Sequence, residues 1–203
     1  MTSAPLKTIA VFASGGGTNL QSLLNRIETG ELPARIAFVL SNNSKARALE
    51  RARQYNIPAI HLSTKTHPDP AQYAAELLAL LKKHDVSLIA LAGYMKQLPP
   101  GVVQVFHGRI VNIHPSLLPK FGGAGMFGIN VHEAVIAAGE KESGASVHFV
   151  TENYDEGPVI MQEKVPVLPG DVPVTLSIRV LEVEHRLYPE AVRRVLAGEI
   201  TMK

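Results

Sequence analysis

Asn112, His114 and Asp155 are the residues of this chain whose types and setting point most directly to chemistry. The first two lie in Ile110-Val111-Asn112-Ile113-His114-Pro115-Ser116-Leu117-Leu118-Pro119 and the third in Tyr154-Asp155-Glu156-Gly157-Pro158. Each stands near the end of an apolar, strand-like run. An amide, an imidazole and a carboxylate are together the polar groups needed to move an acyl-type group between two nitrogens without a metal or a covalent intermediate. Taken singly, each has a plainer use. Asn112 can satisfy backbone groups at a strand end, His114 can be a hydrogen-bonded core histidine before a proline, and Asp155 can form a turn ahead of Gly157.

A second feature is Ser14-Gly15-Gly16-Gly17-Thr18-Asn19, which joins an apolar run to a stretch of helical period. Glycines let the backbone approach a bound group, and free N–H groups at a helix start favour an anion such as phosphate. The plainer reading is a tight turn. A dinucleotide fingerprint would need glycine where Leu20 stands and an acidic residue near Ser41-Asn42-Asn43, and the Gly-Lys-Ser/Thr of a P-loop is absent. The turn therefore reads as a cradle for a mononucleotide-like or sugar phosphate. His132-Glu133 lacks a second histidine four residues on, where Ile136 stands, so no metal is expected.

The elements that must hold these groups alternate in type. Ile9 to Ala13 reads as a buried strand followed by a helix from Asn19 to Glu28. Ile36 to Leu40 leads into a helix from Ser44 to Tyr55 with Ser44 as its N-cap, and Ala59 to Leu62 into a helix from Pro70 to His84 with Asp69 as its cap. Val86 to Ala92 and Arg109 to Ile113 are further strands. Parallel strands need crossover connections that helices supply, so the pattern predicts an α/β fold: a doubly wound, mostly parallel sheet with helices on both faces. Ser146 to Thr151 and Val159 to Val167, joined by the turn residues Asn153 to Pro158, add an antiparallel C-terminal edge. A last helix runs from about Val174 to Ala197 and stops at Gly198. Pro115 to Asn130 carries glycines at 122, 123, 125 and 128 and is expected to be a mobile functional loop.

Composition narrows the partners. The 203 residues, 46% hydrophobic and 19% charged, suit one domain with one substantial core. The 20 basic and 18 acidic residues are interleaved, giving no basic face for nucleic acid. There is no cysteine, which excludes disulfides and thiolate chemistry and fits a reducing compartment. Apolar runs are short and residues 1–7 lack a signal-peptide core, so no membrane association is expected and the cytoplasm is the default location.

Asn112 to Pro119 resembles the signature of the folate-dependent formyltransferases. Ser14 to Asn19, Ser146-Val147-His148-Phe149-Val150 and Tyr154 to Ile160 extend the likeness, from Ile9 to the last helix, to the branch that acts on phosphoribosylglycinamide in purine synthesis. The short signature is shared with enzymes that formylate methionyl-tRNA or hydrolyse formyltetrahydrofolate, so it speaks to the chemistry more than to the acceptor. The resemblance implies a Rossmann variant spanning 1–203, with a phosphate-binding half at 8–110 and a catalytic, folate-binding half at 111–203. It also implies transfer of a formyl group from 10-formyltetrahydrofolate to the amine of phosphoribosylglycinamide, by a monomer or homodimer. The extra domains expected of the tRNA enzyme and of the hydrolase do not fit in this length; hydrolysis of the same donor and a different amine acceptor stay open as alternatives.

Residue by residue, the resemblance implies that Asn112 donates to the oxyanion, that His114 adds positive charge beside it, and that Asp155 pairs with His114 and relays the proton. A raised His114 pKa is expected from that pairing. Gly17, Thr18 and Asn19 would hold the acceptor phosphate and Glu184 its amine or ribose. Met95, Lys96, Gln97, Leu98, Asn112 and the segment Thr151, Glu152, Asn153, Tyr154, Asp155 would enclose the folate, with His148 orienting the catalytic groups from behind or touching them directly. Met95-Lys96-Gln97-Leu98 departs from the more usual Met-Arg-Ile-Leu. That exchange loses a planar guanidinium, leaving Lys96 or Lys65 for the folate glutamate tail.

Overall fold

The computed structural model describes residues 6–202. Its central strand β1 (Lys7–Phe12) is buried on both faces, and the strict alternation of strand side chains decides where each residue packs. Ile9 and Val11 enter one hydrophobic cluster and Ala10 and Phe12 the other. The first cluster lies under α1 (Thr18–Glu28), α2 (Arg47–Gln54), α5 (Ile129–Ala137) and α6 (Pro173–Leu196). The second lies under α3 (Pro70–Lys83) and α4 (Pro100–Val105). A sheet apolar on both faces and covered by helices on both is the doubly wound arrangement expected from the sequence.

The remaining strands are β2 (Ala34–Ser41), β3 (Ala59–His61), β4 (Leu88–Leu91), β5 (Ile110–His114), β6 (Glu142–Phe149) and β7 (Val159–Pro166), in the order β3-β2-β1-β4-β5-β6-β7. Pairs from β3 through β5 are parallel, and β5–β6 and β6–β7 are antiparallel. The chain moves outward from β1 to β3, then crosses back to place β4 on the other side of β1. That reversal opens a crevice beyond the C-terminal ends of β1 and β4, where open α/β sheets bind ligands. Opposite β5, Asn112 pairs with His148 and His114 with Ser146.

Local sequence accounts for most boundaries. Asp69 caps α3 by accepting the Ala71 N–H at 2.8 Å, with Pro70 at the first helical position. Gly198, at φ 74°, ends α6 as expected. Helix α2 differs: it starts at Arg47, with Ala46 rather than Ser44 at the N-cap. Asn43 is the cause, since its side chain accepts the Lys45 N–H at 3.0 Å and its carbonyl the Ala46 N–H at 3.0 Å, closing a turn ahead of the helix. Two helices, α4 and α5, were not anticipated. The expected loop at 115–130 overlaps the first two residues of α5, and its first half is tied down: Leu118 N–H donates to Ser146 Oγ at 3.0 Å and Ser116 Oγ to the Lys120 carbonyl at 2.7 Å. No helix among the described residues is long and apolar enough to cross a membrane.

Candidate active site

The crevice at the strand reversal is a cavity of about 590 Å³. Apart from Lys65, every residue assigned from the sequence to substrate, folate or catalysis lines it: Gly17, Thr18, Asn19 and Glu184; Met95 to Leu98; Asn112, His114 and His148; and Thr151 to Asp155. Three chain segments leave neighbouring strand ends to form it, after β1, β4 and β5. Lys96 stands on its wall; Lys65, between β3 and α3, does not.

At its deep end, Asp155 collects the polar groups. Its Oδ2 lies 3.5 Å from His114 Nδ1 and accepts the Gly123 N–H at 2.9 Å. Its Oδ1 lies 3.4 Å from His148 Nε2 and 3.5 Å from Asn112 Nδ2. Apart from the Gly123 bond these contacts are long, so the carboxylate is held among three side chains without being committed to one. His148 is thus a direct member of the cluster: its Nε2 is 3.1 Å from Asn112 Nδ2. Its Nδ1 faces the Phe149 carbonyl at 2.8 Å, and a carbonyl only accepts, so Nδ1 carries the proton and Nε2 receives the Asn112 amide.

The same logic fixes His114. Its Nε2 donates to the Phe121 carbonyl at 2.8 Å, leaving Nδ1 toward Asp155. The expected rise in the His114 pKa is not found. Burial of a ring only 3% exposed holds the imidazole below its usual range, and Asp155 and the Phe121 carbonyl offset this in part. With Nε2 donating to Phe121, a neutral His114 turns its Nδ1 lone pair to the carboxylate and a protonated one donates to it. For Asp155 burial pushes upward, but the adjoining His148 and His114 rings and the Gly123 N–H outweigh it and hold the carboxyl below its ordinary range. The carboxylate is therefore ionised at neutral pH.

The shallow end is built by the glycine turn. Gly17, at φ 73°, is the N-cap of α1, and a Cβ on it would come 2.9 Å from both Cα and Cβ of Ala48. Gly17→Ala meets both backbone strain and a packed helix. It should destabilise the protein by about 2 kcal/mol, read as a lowered midpoint in denaturant unfolding; an unchanged midpoint would mean that α2 can retreat. Asn19 Nδ2 donates to Glu184 Oε2 at 2.6 Å, while Asn19 Oδ1 is buried without a partner. Glu184 is 8% exposed, and burial raises its pKa to about 7 against the lowering effect of Asn19.

Sequence reading missed three contributors. Ser14 Oγ accepts the Met95 N–H at 2.8 Å and donates to Asn42 Oδ1 at 2.6 Å, knitting the turn after β1 to the segment after β4. His132 on α5 lines the cavity, with its Nδ1 buried and unpartnered; burial and His114 lower its pKa to about 4. Arg51 braces the glycine turn from α2. Ser14 stood within a recognised motif, and His132 was set aside only as a metal ligand.

A doubly wound α/β sheet with a polar cluster at one end of its switch-point cavity and a glycine-rich helix start at the other is the arrangement of a small-molecule group-transfer protein. The model of the family described as formyl transferase matches residues 7–192, and the chain belongs to that family. It is 40% identical over 198 residues to phosphoribosylglycinamide formyltransferase of Haemophilus influenzae, covering 98% of this chain and 91% of that one. It is 41% identical over 195 residues to the chloroplastic phosphoribosylglycinamide formyltransferase of Arabidopsis thaliana, covering 96% of this chain and 67% of that one. Among solved structures, glycinamide ribonucleotide transformylase 1 of Symbiobacterium toebii superposes with a TM-score of 0.91 at 40% identity, covering 98% of this chain and 91% of that chain.

Proposed function

We propose that this enzyme transfers the formyl group of 10-formyltetrahydrofolate to the amine of phosphoribosylglycinamide, giving the N-formyl product and tetrahydrofolate. One observation carries the reading: a single cavity runs from the anion cradle at Gly15 to Asn19, past Glu184, to the Asn112–His114–Asp155 cluster. An acceptor seated with its phosphate on the glycine turn has its other end directed toward the cluster. The far wall fits the donor. Leu98 and Val150 offer apolar surface to a flat ring, and the segment Thr151 to Asp155 offers backbone groups to its polar edge.

Attack of the acceptor amine on the formyl carbon places negative charge on the formyl oxygen and an extra proton on the attacking nitrogen. Asn112 Nδ2 supplies a donor for that oxygen in a setting where such a donor is typically worth about 3 kcal/mol. Asp155, ionised and bound tightly only to Gly123, takes the proton and returns it to the departing nitrogen. His114 and His148 orient the carboxylate and amide. Glu184 faces the middle of the cavity and receives the acceptor's N–H or hydroxyl groups.

Hydrolysis of the same donor is the chemical rival. Following 10-formyltetrahydrofolate consumption with and without phosphoribosylglycinamide decides between them. The expected result is consumption that depends on the acceptor and yields the N-formyl product; equal consumption without acceptor would make the protein a hydrolase.

A further inference from the structure

The glycine turn offers N–H groups to an anion only if its carbonyls point elsewhere. A trans peptide unit sets C=O and N–H on opposite sides, so whatever holds one carbonyl aims the next residue's N–H. Each of the three glycine carbonyls is held on the side away from the cavity. The Gly15 carbonyl accepts the Ala48 N–H at 3.1 Å, the Gly17 carbonyl accepts the Gln21 N–H at 3.0 Å, and the Gly16 carbonyl accepts Arg51 Nε at 2.9 Å. Among the described residues the N–H groups of Gly15, Gly16, Gly17 and Thr18 make no hydrogen bond.

Two of these anchors are backbone groups of helices and are fixed with them. The third is a side chain. A peptide flanked by glycines on both sides is inexpensive to flip, and flipping the Gly16–Gly17 unit would turn a carbonyl oxygen toward the anion. Arg51 opposes this with a half-buried guanidinium. Its Nη1 donates to Gln21 Oε1 at 2.8 Å while its Cδ lies 3.3 Å from where a Gly17 Cβ would be. We propose that Arg51 is a positioning residue for acceptor recognition: its fork between the Gly16 carbonyl and Gln21 locks the glycine turn in the phosphate-binding orientation. This rests on the acceptor being phosphorylated, as argued above.

The test compares Arg51→Ala, Arg51→Lys and Gln21→Ala with the wild type, using phosphoribosylglycinamide and its dephosphorylated riboside as acceptors. Arg51→Ala is expected to raise KM for the phosphorylated acceptor about tenfold or more, with kcat and the donor KM little changed and kcat/KM for the riboside unaltered. Arg51→Lys keeps the charge but not the planar fork and should remain impaired; Gln21→Ala should shift KM the same way by less. Recovery of the wild-type KM in Arg51→Lys would replace positioning by simple charge attraction and overturn the proposal. So would equal losses for both acceptors, the mark of a loosened fold. A wild-type enzyme indifferent to the phosphate would instead refute the acceptor assignment itself.

Discussion

Asp155→Asn should lower kcat by about 1,000-fold while leaving the melting temperature nearly unchanged, within the usual range for loss of a general acid–base group. The fold is spared for two reasons. Asp155 sits at φ 55°, in the left-handed region, which asparagine tolerates better than most residues. An asparagine amide oxygen can also accept the Gly123 N–H that now goes to Oδ2 at 2.9 Å. What is lost is the negative charge and the basic oxygen facing Asn112, His114 and His148. Steady-state turnover paired with a thermal melt checks this. Turnover within tenfold of wild type would remove the carboxylate from proton transfer, and a collapsed melt would show that its role is structural.

Glu184→Gln is expected to improve stability while harming acceptor binding. The folded-state pKa of Glu184 is raised from 4.5 to about 7 by burial. For a group with a raised pKa, the stabilising contribution is full below the unfolded value and is lost as pH rises through the folded value. Wild type should therefore lose up to about 3 kcal/mol between pH 5 and pH 9 through this one group. Glutamine never ionises, and its amide can also donate to Asn19 Oδ1, which now lacks a partner. The variant should melt roughly 5–10 °C above wild type at pH 9, with a much smaller gap at pH 5. Its KM for the acceptor should rise about tenfold or more as a charged acceptor oxygen is lost. Parallel melting curves across the pH range would show that Glu184 ionises as freely in the folded protein as in the unfolded chain.

The two variants also show what was legible in the sequence. Strands buried on both faces, such as β1 and β4, stand out as apolar runs. The amphipathic α3 carries its cap and proline in plain view, and the edge reversal at β6 follows from the turn residues before β7. The start of β6 was less visible: Glu142, Ser143 and Gly144 have no apolar signature. Yet a side chain on Gly144 would strike the Glu163 carbonyl and Leu117, so the glycine serves close strand approach rather than a break. Prolines and glycines hid α4 and α5 in the same way, since Pro100 and Gly128 mark helix starts as readily as loops.

Within the candidate site, residue type pointed to Asn112, His114 and Asp155, which the fold brings together, but not to their electrostatics. Pairing with a carboxylate suggested a raised His114 pKa, whereas the depth of burial, invisible in one dimension, decides the opposite sign. Arg51 carried no signal because its partners are a backbone carbonyl and Gln21, 35 and 30 positions away. Such bonds leave no trace in local spacing.

The pairing of Asn112 with His148 and of His114 with Ser146 sets these side chains on alternate rungs between two strands, and so on one face. Slipping that ladder by a single residue would send every one of them to the opposite face, so the arrangement is as rigid and as all-or-none as the sheet itself. The connections that leave these strands complete the cluster: the one after β5 brings the Gly123 N–H and the one after β6 brings Asp155, and the two meet at 2.9 Å.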